Sequence, residues 1–307
     1  MVLAVRLAPL CEQPLGVGAG TPAQKDRFLP PVARGEAIWC QGYSEPGAGS
    51  DLAAVRTAAT RDPGDPTGAY RVTGQKIWTS HAHEADWCFV LARTEPGSHR
   101  HHGLSLLLVP MDQADGSVEV RPIRQLTGTS EFNEVFFDGA RAHPDHLVGG
   151  EGNGWRVAMD LLAAERGVST LAQQIGFERE LEEVVRLAGD ADPLLRERLI
   201  RQWAELRTMR WNALRTLGGS DPAAPSVAKL LWGGWHQRLG ELAMAVRGAS
   251  GAVGPDDWSE EKPYRLDAFQ RLFLFSRADT VYGGSDEIQR TIIAERVLGL
   301  PREARGQ

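Results

Sequence analysis

The first half of the chain alternates short apolar runs with clusters of turn residues. Runs rich in β-branched and aromatic side chains are typical of strands, because such side chains pack well on a pleated surface. Short strands joined by polar turns, such as DPGDPTG at 62–68, favour an antiparallel sheet that closes into a barrel or sandwich. After a first strand that starts near Ile38, the pattern predicts strands at 70–79, 87–94, 104–111, 118–123 and 134–137.

The hydrophobic period changes after the glycine-rich run GGEGNG at 149–154. From there apolar residues recur at the spacing of a helix, first at 155, 158, 161, 162, 168, 171, 172 and 175. Similar patterns predict further helices at 194–217, 225–248, 266–277 and 285–298, with loops at 218–222 and 248–257. The chain is therefore predicted to have an α+β fold, with a leading segment at 1–37, an antiparallel β domain at 38–148 and a C-terminal helical bundle at 149–307.

Charge and cysteine content narrow the class of protein. The chain has 34 Lys and Arg against 40 Asp and Glu, a formal net charge of -6, which predicts no general attraction to nucleic acid. Cys11, Cys40 and Cys88 are far apart and show neither a zinc spacing nor a disulfide framework. No stretch approaches the roughly 18 apolar residues of a membrane helix, so we expect a cytoplasmic protein with no membrane partner.

Several motifs allow more than one interpretation. GGEGNG has glycines in a GxGxG spacing, not the GxGxxG of a dinucleotide loop, and a domain hinge is the better interpretation. His81 and His83 could share one face of a strand as metal ligands, but no clear carboxylate or Cys set completes a site, so solvated histidines are expected. Glu165 falls in the apolar stripe of its predicted helix, where it is a base with a raised pKa, the partner of a cation from another helix, or an edge residue that reaches solvent.

An ordered set of segments resembles the acyl-CoA dehydrogenase family of flavoproteins. These segments span nearly the whole chain in the family's order: QKDRFLPP (24–31), QGYSEPGAGSD (41–51), VTGQKIWTS (72–80), RPIRQLTGTSEFNEVFFD (121–138) and YGGSDEIQRTIIAERVLGLPRE (282–303). The resemblance implies a middle β domain that binds flavin and thioester, followed by a helical bundle that carries the base and mediates oligomerisation. It also implies that 1–37 is a linker or a remnant of the family's N-terminal helical domain, which is otherwise missing.

The same resemblance implies a site for FAD. Tyr43 and Ser44 would lie near the isoalloxazine ring, and Gly49 and Ser50 near the pyrophosphate, with Ser50 also near the bound thioester. Trp78 would shield the flavin, while the Ser80 hydroxyl meets its hydride-accepting edge. Ser285 and Glu287 match a further segment that contacts the flavin in the family. Hydroxyls supply hydrogen bonds without a charge that would disturb the redox balance of the cofactor.

The implied reaction is the α,β-dehydrogenation of an acyl-CoA, with electrons passed on to an electron-transfer flavoprotein or a similar acceptor. Many members of the family carry the base as the second residue of a YEGT segment, where this chain has Gly283. Other members supply it from a Glu-Arg pair on an early helix of the C-terminal domain, which matches Glu165 and Arg166. Glu165 is therefore the expected base, and Glu287 is a weaker substitute.

Two other functions stay open at this point. Gly283 and the missing N-terminal domain are also compatible with a catalytically silent subunit of a heteromeric dehydrogenase. Because a fold does not fix its chemistry, a flavin monooxygenase is the remaining alternative. An exposed helical face favours association into a homo- or hetero-oligomer.

Overall fold

The structure is a computed structural model that describes residues 19–190, 192–216, 223–254 and 265–302, with backbone but not side chains for 163–172 and 216. Cys11, the loop predicted at 218–222 and the end of the loop at 248–257 lie outside the described residues. The chain forms two compact units. The first contains the residues up to Gln125 together with Thr129–Glu165, and the second contains Leu126–Gly128 and Arg166–Gln307.

The first unit is built on one mixed sheet of eight strands. The elements of this unit are α1 (Pro22–Ala33), β1 (Trp39–Gly42), β2 (Ala58–Arg61), β3 (Tyr70–Ser80), β4 (Trp87–Arg93), β5 (Leu104–Pro110), β6 (Val118–Ile123), β7 (Phe132–Ala142) and β8 (Leu147–Val148). The order of the strands in the sheet is β6-β7-β3-β2-β4-β5-β8, and β1 also pairs with β4. Most neighbouring strands are antiparallel, as predicted, but β1 and β2 both run parallel to β4.

Strands β4 and β5 form the centre of the sheet, and both of their faces are buried. Phe89 and Leu91 pack into one apolar cluster with Phe28 of α1, whereas Cys88 and Val90 pack into a second cluster with Tyr70. Side chains alternate between the two faces of a strand, so burial of both faces explains why these strands are continuous apolar runs.

The second unit is helical, and the sheet followed by helices confirms the predicted α+β class. Trp235 is fully buried at its centre, and its indole N–H donates to Gln202 O at 2.9 Å. Gln202 returns a hydrogen bond from Nε2 to Trp235 O at 3.0 Å, so two helices are joined by reciprocal buried bonds. The helices are α2 (Gly154–Ala188), α3 (Pro193–Thr216), α4 (Ala224–Arg247), α5 (Ala268–Ser276) and α6 (Asp286–Ile292), with a π-helical turn at Ile293–Val297.

The boundary between the two units falls within α2, between Glu165 and Arg166. Among the described residues, no helix combines the length and the apolar character needed to cross a membrane.

Candidate active site

The loop that follows β1 contains four of the residues predicted to bind the cofactor. Tyr43 is buried and meets Phe89 edge-on, with ring centroids 5.8 Å apart. Ser44 is half-buried, and the next residues form a tight turn closed by two backbone hydrogen bonds between Glu45 and Ala48, of 3.1 and 2.9 Å. Gly49 and Ser50 are exposed, and a Cβ added to Gly49 would meet no atom within 4 Å. The space beside this part of the loop is therefore open.

The end of β3 carries the second predicted segment, and its backbone is irregular there. The register between β3 and β7 shifts between Lys76 and Thr79, which forms a bulge. Within the bulge Trp78 adopts a left-handed conformation with φ of 61°, and its side chain is 56% exposed. The indole contacts Phe132 edge-on at 6.3 Å, and Ser80, two residues later, is half-buried. Because bulges redirect side chains, an apolar ring is presented outward at the end of a sheet strand.

One backbone hydrogen bond brings these two segments together. The N–H of Ile77, in the bulge, donates to Ser44 O at 2.9 Å. Residue 44 is thus fixed beside the residue that precedes Trp78, although the two segments are more than thirty positions apart in the sequence. Gly49 and Ser50 lie further along the same loop and take no part in this bond.

Two buried charged residues at the same place were missed by sequence reasoning. Lys76 is fully buried, and its ammonium donates to Glu45 Oε1 at 2.8 Å, to Leu91 O at 2.8 Å and to Tyr43 O at 3.0 Å. The alternation of β3 gives a signal that could have found it, because Lys76 shares a face with the buried Tyr70 and Val72.

Glu45 is ionised in this arrangement. Burial raises the pKa of its carboxyl, but the Lys76 ammonium and hydrogen bonds from Thr57 and Arg56 outweigh burial, so that the pKa lies below its ordinary value. Burial lowers the pKa of Lys76, and Glu45 opposes that effect. Three acceptors surround the three N–H bonds of the ammonium, which is the arrangement that a charged lysine requires.

The segment that matches the family's YEGT motif belongs to the second unit. Gly283 and Gly284 both have positive φ, of 65° and 83°, and a Cβ on Gly284 would lie only 2.5 Å from Gln289 Nε2. Ser285 caps the N-terminus of α6, where its hydroxyl accepts from Ile288 N at 3.4 Å. The Glu287 side chain is 80% exposed beside Arg290. The structure thus shows a structural role for Ser285, and the cofactor contacts predicted for Ser285 and Glu287 stay predictions.

A buried polar network lies directly before this segment. The Asp279 carboxylate is fully buried and accepts from the Tyr282 hydroxyl at 2.6 Å and from His236 Nδ1. His236 Nε2 bonds to Glu180 at 2.9 Å, and the Lys229 ammonium donates to Asp279 O. A Cβ on Gly283 would lie 3.9 Å from Lys229 Cε. A carboxylate side chain at position 283 would therefore begin close to the Lys229 side chain. A nearby cation lowers the pKa of a carboxyl group, which makes it a weaker base.

This network predicts a loss of stability in mild alkali. Burial opposes the charge on His236, but hydrogen bonds to Asp279 and Glu180 outweigh burial and raise its pKa to about 9, above 6.5. The stabilisation from the charged His236 is full below pH 6.5 and is lost as the pH rises towards 9. Burial lowers the pKa of Lys229 to about 8, so loss of its proton offsets the decline above that pH. We expect the free energy of unfolding to fall by about 1 kcal/mol between pH 6.5 and 8.

Urea unfolding, followed by helical circular dichroism at several pH values, measures this slope. The His236→Gln variant is the control, and its slope should be nearly flat over the same range. A wild-type stability that stays constant or rises from pH 6.5 to pH 8 would contradict the assignment of a charged His236.

Glu165, the predicted base, lies in the helical backbone of α2, and its side chain is outside the described residues.

The histidines considered as metal ligands are partly exposed, with His81 3.8 Å and His83 3.7 Å from Glu84. Within the described residues, no three His, Cys, Asp or Glu side chains are grouped so that they could hold a metal ion.

Comparisons with known proteins agree along most of the chain. The middle-domain model of the acyl-CoA dehydrogenases matches residues 40–140, and their C-terminal-domain model matches residues 152–298. A curated relative, acyl-CoA dehydrogenase IpdE1 from Mycobacterium tuberculosis, is 58% identical over 300 residues, which cover 95% of this chain and 74% of the relative.

Solved structures give the same result. The Tcur3481-Tcur3483 steroid ACAD is 29% identical with a TM-score of 0.84, over 95% of this chain and 76% of that chain. The ChsE4-ChsE5 complex from Mycobacterium tuberculosis is 31% identical with a TM-score of 0.77, over 96% and 76% of the respective chains. Since both domain models and a relative of 58% identity match in sequence, the chain belongs to the acyl-CoA dehydrogenase family of oxidoreductases.

Proposed function

We propose that this protein catalyses the FAD-dependent α,β-dehydrogenation of an acyl-CoA thioester. The observation that carries the proposal is the 2.9 Å hydrogen bond from Ile77 N to Ser44 O. It joins the two segments, 43–50 and 78–80, whose resemblance to the family assigns them to the flavin. Both segments belong to the first unit.

The residues present at this place fit a flavin. The exposed Trp78 indole offers an apolar face to a planar ring system, and the open space beside Gly49 allows close approach of a ligand. Ser44 and Ser80 supply neutral hydroxyls, and the charge of Glu45 is compensated by Lys76. Polar edges of the cofactor would thus meet hydrogen-bonding groups without a net charge nearby.

Each proposed catalytic group has one task. Glu165 removes the proton α to the thioester carbonyl. FAD, held by the residues named above, would supply the acceptor for the hydride that leaves the β carbon. Ser44 and Ser80 orient the polar edge of the bound cofactor, and Trp78 excludes water from its ring. Ser50 contacts the thioester ligand. The two electrons leave to an electron-transfer flavoprotein or a similar external acceptor in the cytoplasm.

The acyl group is proposed to be bulky. One structural relative is titled a steroid ACAD, and Gly283 replaces a longer side chain in the segment that carries the base in many members. A residue without a side chain leaves more volume for a branched or polycyclic acyl group.

A silent subunit is the second candidate, and it is favoured by two observations. Two structural relatives are named by pairs of chains, Tcur3481-Tcur3483 and ChsE4-ChsE5. Gly283 also removes the carboxylate from the common position of the base. Under either candidate we expect the protein to work as part of an oligomer.

Flavin binding tests the proposed location of the cofactor. Replacing Trp78 by Ala should raise the dissociation constant for FAD roughly tenfold, because the exposed ring face is lost. Trp203 is a matched control, since it is a similarly exposed indole (53%) in the helical unit, and Trp203→Ala should leave the affinity unchanged. Titration of FAD followed by flavin fluorescence measures both variants. Equal affinities in the two variants would show that Trp78 does not contact the cofactor.

A further inference from the structure

Residues 43–57 form a loop that connects β1 to β2, and both of these strands pair with the same edge of β4. Strand β1 pairs with β4 as far as Gly42 opposite Val90, and β2 resumes the pairing at Ala58 opposite Arg93. Between these two points, no strand of the described residues pairs with β4 on that edge. The Lys76 ammonium fills this gap, because it donates to Leu91 O at 2.8 Å.

The Glu45 side chain joins the start of the loop 43–57 to its end. Its carboxylate accepts from Arg56 N at 2.7 Å and from Thr57 N at 2.9 Å, so a residue near the start of the loop holds two near its end. The carboxylate also binds Lys76, and its side chain is only 9% exposed. Hydrogen bonds to charged groups in a buried setting are stronger than neutral ones, which makes this closure a rigid one.

Lys76 links four parts of the structure through a single side chain. It holds the start of the loop at Tyr43 O, the loop closure at Glu45 and the sheet at Leu91 O, and its own backbone lies two residues before Trp78. The pairing of β3 with β2 ends at Thr73, so Lys76 lies beyond the part of β3 that pairs with β2. The relative placement of Ser44 and Trp78 therefore depends on this buried ammonium as well as on the hydrogen bond from Ile77 N to Ser44 O.

We infer that Lys76 and Glu45 are positioning residues that pre-organise the loop 43–57 and the end of β3 for the flavin. This inference rests on the proposed function, in which these two segments hold FAD. A loop whose bound conformation is already fixed loses less entropy when a ligand binds, so its affinity for the ligand is higher. The ion pair contributes to binding through the loop, without contact with the cofactor.

The test combines a double variant with a local measurement of dynamics. Lys76→Met alone leaves Glu45 charged and buried, which risks unfolding. Lys76→Met with Glu45→Gln removes both charges at similar volume, and the single carbonyl oxygen of Gln can still accept one of the two bonds from Arg56 N and Thr57 N. Arg71→Leu is the matched control, because it removes an ion pair on the same strand, with Asp62 at 2.8 Å, that touches no part of the loop.

Amide hydrogen exchange in the flavin-free protein measures how often the backbone hydrogen bonds of the loop 43–57 open. In the double variant we expect amides of residues 43–57 to exchange about tenfold faster or more, with β5 amides unchanged. The dissociation constant for FAD should rise by about tenfold. In Arg71→Leu both quantities should match the wild type. A double variant with wild-type loop exchange and wild-type FAD affinity would overturn the inference.

The two proposals fail in different ways. If the wild-type protein does not bind FAD, the proposed function is wrong, and the exchange rates of the flavin-free loop still decide whether the ion pair orders it. If the wild type binds FAD and the double variant binds it equally well, the function stands and the positioning role is wrong.

Discussion

Replacing Glu165 by Gln should lower kcat by about a thousandfold, because a general base contributes roughly 10²–10⁴-fold to the rate. The amide keeps the size of the side chain but cannot accept the α-proton. Binding of FAD should be unchanged, since Glu165 is not among the residues predicted to bind the cofactor and Gln has nearly the same shape as Glu. Steady-state kinetics with an acyl-CoA and an artificial electron acceptor measures the effect, with the protein assembled as it is isolated.

Glu182→Gln provides the matched control for this experiment. Glu182 lies on the same helix, α2, and is exposed, so its replacement should leave kcat unchanged. A Glu165→Gln complex that turns over at the wild-type rate would contradict the role of Glu165 and would favour the silent subunit. A loss of activity with intact flavin binding is the outcome expected of a base.

Replacing Asp279 by Ala should destabilise the helical unit by about 3–5 kcal/mol, since it breaks a buried charged network by removing one partner. Asp279 is fully buried, and its carboxylate accepts from His236 and from the Tyr282 hydroxyl. The variant leaves both donors without this acceptor, and Glu180 is then the one remaining ion-pair partner of the buried His236 among the described residues. Urea unfolding followed by helical circular dichroism measures the change.

The control for Asp279 is an exposed ion pair in the same unit. Glu241 pairs with Arg277 at 2.8 Å, and its side chain is 50% exposed. Glu241→Ala should therefore cost less than about 1 kcal/mol. Asp279→Ala should also reduce the dependence of stability on pH between 6.5 and 8. A loss of stability no larger than that of Glu241→Ala would show that the network contributes little to folding.

The regular elements were predictable where one periodicity dominates. The predicted ends of β3, β4, β5 and β6 agree with the observed ends to within one residue. Strands β4 and β5 are apolar runs, β3 and β6 begin with alternating apolar and polar residues, and turn residues flank all four. Strand β2, Ala58–Arg61, was missed because four residues with a single buried side chain carry no clear alternation. Helix α1 was missed because its sequence contains Pro30 and Pro31, and a capping box at Thr21 and Gln24 compensates at its start.

The candidate site was predictable only as separate segments. Resemblance identified the loop at 41–51 and the strand end at 72–80, but periodicity cannot show that they are joined through Ile77 and Ser44. The bulge at Trp78 depends on the pairing of β3 with β7, which is a tertiary feature. The pairing of Lys76 with Glu45 likewise depends on the tertiary fold, because the two residues are 31 positions apart in the sequence.

The most direct test of the central claim is the visible spectrum of the protein reconstituted with FAD, recorded without oxygen before and after an acyl-CoA is added. Our account predicts the spectrum of a bound oxidised flavin that bleaches on addition of a bulky acyl-CoA, with the α,β-unsaturated thioester as product. A bound flavin that stays oxidised with every acyl-CoA, but is reduced by dithionite, would contradict dehydrogenation by this protein.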